Sequence, residues 1–214
     1  MSITTTIIGK KHNAATIKFT ATADTDTATV ALSTPITIAA TGNVTFVAAT
    51  HTLTRTTGSW STDLVEVGSV LIITNTVSNN GTFIVKSFTA TDVVIENNTS
   101  SARNYLVDET AAAAAFTGSY KSVLLAYGQI ISGTPKVNIA RCRYSVSSAG
   151  SVSVSRNSVV TLKLFGHDEI ECPTSENNTH PIVTLFSTTA GGTLIMEVTK
   201  VEGFSAVNPS QLPY

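Results

Sequence analysis

Ser151-Val152-Ser153-Val154-Ser155-Arg156-Asn157-Ser158-Val159-Val160-Thr161-Leu162 decides the fold class. Its first five residues alternate hydroxyl and β-branched side chains with a period of two, the pattern of a half-buried strand. Arg156-Asn157-Ser158 is a short polar connection, and Val159 to Phe165 resumes as a second strand. The same texture recurs in Ile36-Thr37-Ile38, Val44-Thr45-Phe46 and Thr82-Phe83-Ile84-Val85. Threonine fills about one position in six, well above its share in ordinary domains. A residue stiff at χ1 suits a pleated surface. A solvent face built from Thr and Ser instead of Lys and Glu is polar yet almost uncharged. Such a face costs less to desolvate against a neighbour than a charged one.

At 214 residues the chain has room for one large all-β domain or two small ones. Hydrophobic content is an ordinary 42%, but charged residues make up only 13%, about half the usual share. Thirteen basic and fourteen acidic residues leave a net charge of -1 with no basic stripe. Binding of nucleic acid by phosphate neutralisation is therefore disfavoured. Met1-Ser2-Ile3-Thr4-Thr5-Thr6 lacks a basic segment followed by an apolar one, so no secretory signal is expected. Apolar runs such as Val70-Leu71-Ile72-Ile73 are strand-sized and too short to span a bilayer. Cys142 and Cys172 could pair, but two cysteines make no framework in a chain this long. They read as free buried thiols of a protein made in a reducing cytosol. Asn-x-Ser/Thr triplets at Asn43, Asn80 and Asn177 are expected by chance in so Thr-rich a chain.

Along the chain, strands are expected at 15–20, 27–32, 36–40 and 44–49, a block with too few large side chains to make a core alone. From Leu53 to Glu96 comes a compact set of short strands, with Asn80-Gly81 as a hairpin corner. Residues 98–118 read as a linker, or as a helical turn in which Asp108 caps the run of alanines. Strands resume at 121–127, 137–146, 151–155 and 159–165. Gly166 to His180 is loop-like, and 181–187 with 192–201 make the last pair. No helix is long enough for a βαβ unit. The expected fold is all-β: a β-sandwich base from 1–52 with 119–206, and a small inserted β-barrel or sandwich at 53–97. The 98–118 linker and an extended tail at 207–214 complete it.

Chemistry-bearing motifs are sparse. Nucleophile elbows, Walker loops and dinucleotide fingerprints do not occur. His167-Asp168-Glu169, with Glu171, Cys172 and His180 behind, is the one suggestive cluster, and His167, Asp168 and His180 are weak candidate metal ligands. Their spacing matches no established pattern, and an exposed loop normally carries the same residues. Four scattered histidines allow a Ser-His-Asp triad by inventory, but nothing points to one. The only tryptophan, Trp60, reads as a core plug in preference to a sugar-stacking platform.

Two regions resemble known proteins. Leu53-Thr54-Arg55-Thr56-Thr57-Gly58-Ser59-Trp60, Val67-Gly68-Ser69-Val70-Leu71-Ile72, Asn79-Asn80-Gly81-Thr82-Phe83-Ile84-Val85 and Asp92-Val93-Val94-Ile95 together resemble a small β module of tailed-bacteriophage structural proteins. That module opens "R..GS" and continues with "VGD.I.V.G", an "NNGTF.V" hairpin and a closing "T.L.V" strand. Here Ser69 replaces its Asp, and Asn75 sits near its Gly. The C-terminal third, ending in Gly192-Thr193-Leu194-Ile195-Met196-Glu197-Val198, is similar to phage virion proteins as well. The resemblance implies a non-enzymatic virion protein, assembled in the bacterial host cytoplasm and present in many copies. It is expected first as a capsid decoration or cement protein and second as a tail or neck component. Its partners would be its own copies and other virion proteins, with no cofactor, membrane or nucleic acid. Trp60, Tyr105, Tyr127 and Tyr214 are the candidate interface residues, and the three besides Tyr214 would also serve a carbohydrate- or host-surface-binding module. A hydrolase or a metal-dependent enzyme around His167, Asp168 and His180 has least support.

Overall fold

The computed structural model describes residues 3–22, 25–32, 34–35, 38, 42–63, 66–96, 106–112, 115–116, 120–121, 124–147, 149–172, 178–188 and 191–206. The fold is all-β and sandwich-like, built from antiparallel sheets. Two compact units share the chain: 1–32 with 122–124 and 131–204, and 33–121 with 125–130 and 205–214. The first unit opens with β1 (Thr4–Lys10), β2 (Ala14–Ala21) and β3 (Asp26–Val30). The second holds β4 (Thr34–Pro35), β5 (Val44–Val47), β6 (Thr52–Arg55), β7 (Val70–Thr74), β8 (Gly81–Phe88) and β9 (Asp92–Ile95). It continues with β10 (Glu109–Ala111), β11 (Ala115–Phe116) and β12 (Tyr120–Lys121). Then come β13 (Gln129–Val146), β14 (Ser151–Arg156), β15 (Val159–Phe165), β16 (His167–Glu171), β17 (Ile182–Ser187) and β18 (Gly192–Ala206).

In the first unit a five-stranded sheet, β1-β2-β18-β13-β16, packs on a four-stranded sheet, β15-β14-β17-β3. The alternation read in the sequence sets which side chains meet. Strand β2 buries Ala15, Ile17, Phe19 and Ala21 while the residues between them stay partly exposed. Leu194 and Met196 of β18 lie beside them, and Val152, Val154, Ile182 and Phe186 contribute from the other sheet. Each of the larger ones, Val, Leu, Ile, Phe and Met, contributes about 1.5–3 kcal/mol on burial.

The second unit curls a seven-stranded sheet, β10-β5-β6-β9-β8-β7-β11, around a core that includes Phe46, Leu53, Trp60, Leu71, Phe83 and Ile95. The chain leaves the sandwich at residue 32, well before the expected boundary at 52. The reason is local. Strand β5 pairs with β6 across the short 3₁₀ turn Ala48–Thr50, with Val47 opposite Thr52. Phe46 and Val44 are thereby buried in the second core.

Other elements also differ from the sequence reading. Part of the expected linker is sheet: β10 pairs with β5, Glu109 opposite Phe46. Asp108 caps no helix there; its carboxylate accepts from the Ala48 N–H at 2.8 Å. Tertiary pairing has overridden the helix propensity of alanine. The β7–β8 hairpin does not turn at Asn80-Gly81, since Asn75 is the residue with positive φ. Of the expected strand at 121–127, the described residues 124–127 are not in a strand; Tyr120–Lys121 pairs with β4, and the long strand β13 begins at Gln129.

The β7–β8 loop is held by a clasp. Glu109 accepts from the Val77 and Ser78 amides at 2.8 and 3.0 Å and from Asn79 Nδ2 at 2.7 Å. Asn79 in turn bonds both backbone groups of Val107. Burial alone pushes the Glu109 carboxyl up, but the donors from Val77, Ser78 and Asn79 together outweigh it and hold it below its ordinary value. A depressed carboxyl stabilises the fold above its unfolded pKa, about 4.3, and that contribution disappears as pH falls through the folded value. Glu109→Gln should therefore lower stability at neutral pH, and the difference from the parent should vanish under acid. Urea titrations of both proteins across that range check it; a difference independent of pH would refute the clasp's electrostatic role.

Candidate functional site

Pairing across the four-stranded sheet places its side chains in rows. One row runs Lys163–Ser153–Leu185–Thr27 across β15, β14, β17 and β3. The next outward row runs Val160–Ser155–Val183–Thr29. A third holds Phe165, Ser151 and Ser187. The alternate rows point into the core, as Val152 with Phe186 and Val154 with Thr184 show by their complete burial. Of eleven outward positions in these rows, only Lys163 is charged. Three large apolar side chains stand clear on this face: Phe165 at 60% exposure, Val160 at 57% and Leu185 at 37%.

Val160 faces outward because of a bulge. Plain alternation from Leu164 and Leu162 would send Val160 inward. The register shifts between Val154 and Ser155, whose partners are Leu162 and Val160, so Thr161 is an extra residue. That shift adds an apolar side chain to the outer surface.

The outward face of the five-stranded sheet has a different character. Arg143 meets Glu169 at 2.5 Å, and Arg141 reaches Glu169 at 3.3 Å and Glu171 at 3.0 Å. In the open cleft of about 280 Å³ beside Arg143, Asp168, Glu169, Thr193 and Ile195, Arg143 and Glu169 are already paired with each other, and Asp168 accepts from the Glu169 amide at 2.7 Å. One side of the sandwich is laced with ions and the other is nearly neutral.

The candidate metal ligands do not converge. The stretch read as a loop is strand β16, in which His167 lies opposite Ser145 and Asp168 opposite Tyr144. Consecutive strand residues project to opposite faces. His180 lies elsewhere, its Nδ1 3.1 Å from Asn178 Oδ1. Among the described residues no group of three or more His, Cys, Asp or Glu side chains could hold a metal ion. Cys142 and Cys172 are free and buried, and burial pushes both thiols up, the state of unreactive sulfur.

Among the interface candidates, Trp60 is corrected: it is fully buried, and its Nε1–H donates to the Thr91 carbonyl at 2.9 Å. A partner or sugar cannot reach it. Arg55 stacks on its ring at 4.4 Å from the centroid and donates to Asp63 at 2.6 Å. Gly58, at φ +80°, closes over this guanidinium, where a Cβ would lie 3.1 Å from its central carbon. Tyr127 is half exposed, lies over Gly68 and donates to the Glu96 carboxylate. Burial first and then Glu96 raise its hydroxyl to about 12. Tyr105 and Tyr214 lie outside the described residues. Lys200, whose Nζ donates to the Lys11 carbonyl at 2.6 Å, is lowered to about 8 by burial and then by Lys10. These perturbed groups are scattered through the fold, each explained by its own packing.

No protein family, curated protein or solved structure matches this chain.

Proposed function

We propose that this chain is a non-enzymatic structural protein of a bacteriophage particle, a decoration or cement protein present in many copies on the capsid. The phage assignment rests on the resemblance of the 53–95 segments and the C-terminal strand to particle proteins. The structural role rests on one observation: the outward face of the four-stranded sheet exposes Phe165, Val160 and Leu185 among hydroxyls, with Lys163 the single charge in its described outward rows. A surface of this kind loses little on desolvation and gains apolar contact.

The reading predicts where the protein is found. In density-gradient fractions of particles made from the genome encoding this chain, the protein should comigrate with the particles, and antibodies against it should label them. Recovery only in the soluble fraction, with unlabelled particles, would overturn the proposal.

A further inference from the structure

We infer that the neutral face of the four-stranded sheet packs against the same face of a second copy, about a two-fold axis running along the strands between β14 and β17. This rests on the reading of the chain as a multi-copy structural protein and names the contact that reading needs. A lone Lys163 without an acidic neighbour in the outward rows offers nothing to a polyanion and little to an acidic protein patch. Rows of Ser and Thr are unsuited to a lipid interior. What such a face complements is another neutral face of hydroxyls and apolar side chains, and every copy supplies one.

Symmetry then selects the axis. A two-fold along the strands lays β15 over the partner's β3, so Lys163 faces the partner's Thr27 and Val160 faces the partner's Thr29. Ser153 falls against the partner's Leu185. Three strand spacings sideways and one intersheet spacing separate the two Lys163 residues by about 17 Å, beyond the Debye length of about 8 Å. An axis across the strands would instead stack Lys163 on its own copy at about 10 Å, setting like charges face to face. The first arrangement avoids that cost.

The area limits the strength. Four strands by six residues present about 400 Å², half of the roughly 800 Å² per partner in a stable complex. Two free copies should therefore associate weakly, and the contact should become effective when other contacts hold many copies in register.

Cysteine trapping with a short bismaleimide tests the geometry, in concentrated purified protein and in intact particles. A mixture of Lys163→Cys and Thr27→Cys chains should give a covalent dimer, whereas either variant alone should give less than a tenth as much. Ser153→Glu, which brings like charges close to the axis, should reduce trapping and any concentration-dependent sedimentation at least tenfold without changing the melting temperature of the monomer. Equal trapping by Lys163→Cys alone would overturn the axis. No trapping in either setting would overturn the contact. If the chain is in the particles and no dimer is trapped, the contact fails while the structural role stands; absence from the particles defeats the role itself.

Discussion

Asp63→Asn should destabilise the second unit by about 3–5 kcal/mol, the cost of stranding a buried charge. Arg55 is 2% exposed, and Asp63 is the carboxylate its guanidinium meets, at 2.6 Å. Among the described residues its Nε and Nη2 have no hydrogen-bond partner. They face the Trp60 ring and the Gly58 backbone, so the cation is balanced by one carboxylate and one π face. Asparagine keeps the shape and removes the charge. Water cannot replace it, because the side chain of Arg55 has no exposed surface. Replacing the pair with Arg55→Met and Asp63→Leu should cost less than Asp63→Asn alone, since an apolar pair leaves no ion behind. Trp60, the only tryptophan, sits against this pair and reports its unfolding by fluorescence during denaturant titration. A loss below about 1 kcal/mol for Asp63→Asn, in the range of exposed pairs, would mean that solvent reaches the guanidinium.

What the sequence could and could not reveal follows from the range of each interaction. The alternation at Val152-Ser153-Val154 is a local property, and the structure follows it through complete burial of both valines. Trp60 in the core is legible for the same kind of reason: a large aromatic in a strand-turn context before Leu64 and Val65 mostly buries its area, and Trp60 is fully buried. Strand partners are set by contacts distant in the chain, and β10 is such a case. Its three residues, Glu109–Ala111, acquire strand geometry from β5, more than sixty positions earlier. The candidate surface divides in the same way. Its hydroxyl and apolar composition could be read from the strands one at a time. Its outward position for Val160 could not, because the extra residue at Thr161 appears only when β15 is paired with β14. Strand β16 reads as a loop in sequence because His167, Asp168, Glu169 and Glu171 are poor strand formers as a set. Arg141 and Arg143 on β13 supply the cross-strand charges that make those residues a strand.

Arg156→Leu should have the comparable effect in the sandwich, about 3 kcal/mol or more, through polar groups instead of charge balance. Arg156 occupies an inward position of β14 at 4% exposure. Its Nε donates to the His180 carbonyl at 2.8 Å and its Nη2 to the Asn178 carbonyl at 2.7 Å, with a longer contact of 3.4 Å from Nη1 to Val137. Val137 belongs to the five-stranded sheet and Arg156 to the four-stranded one, so a single guanidinium ties both layers to the approach to β17. Charge-assisted bonds contribute about 1.5–3 kcal/mol each, and carbonyls stripped of their donor inside the protein add a desolvation cost. For a chain of this size, 3 kcal/mol corresponds to a fall in melting temperature of about 6–12 °C. Arg156→Lys should recover little of it, because one ammonium cannot fork towards carbonyls on two sides as a planar guanidinium does. Hydrogen exchange gives a local reading. The Val137 amide donates to Asn178 at 3.2 Å, and it should lose protection in both variants before the amides of β2 do. If Arg156→Lys melts with the parent and the Val137 amide stays protected, then the fork is dispensable and the layers are held together by the apolar core alone.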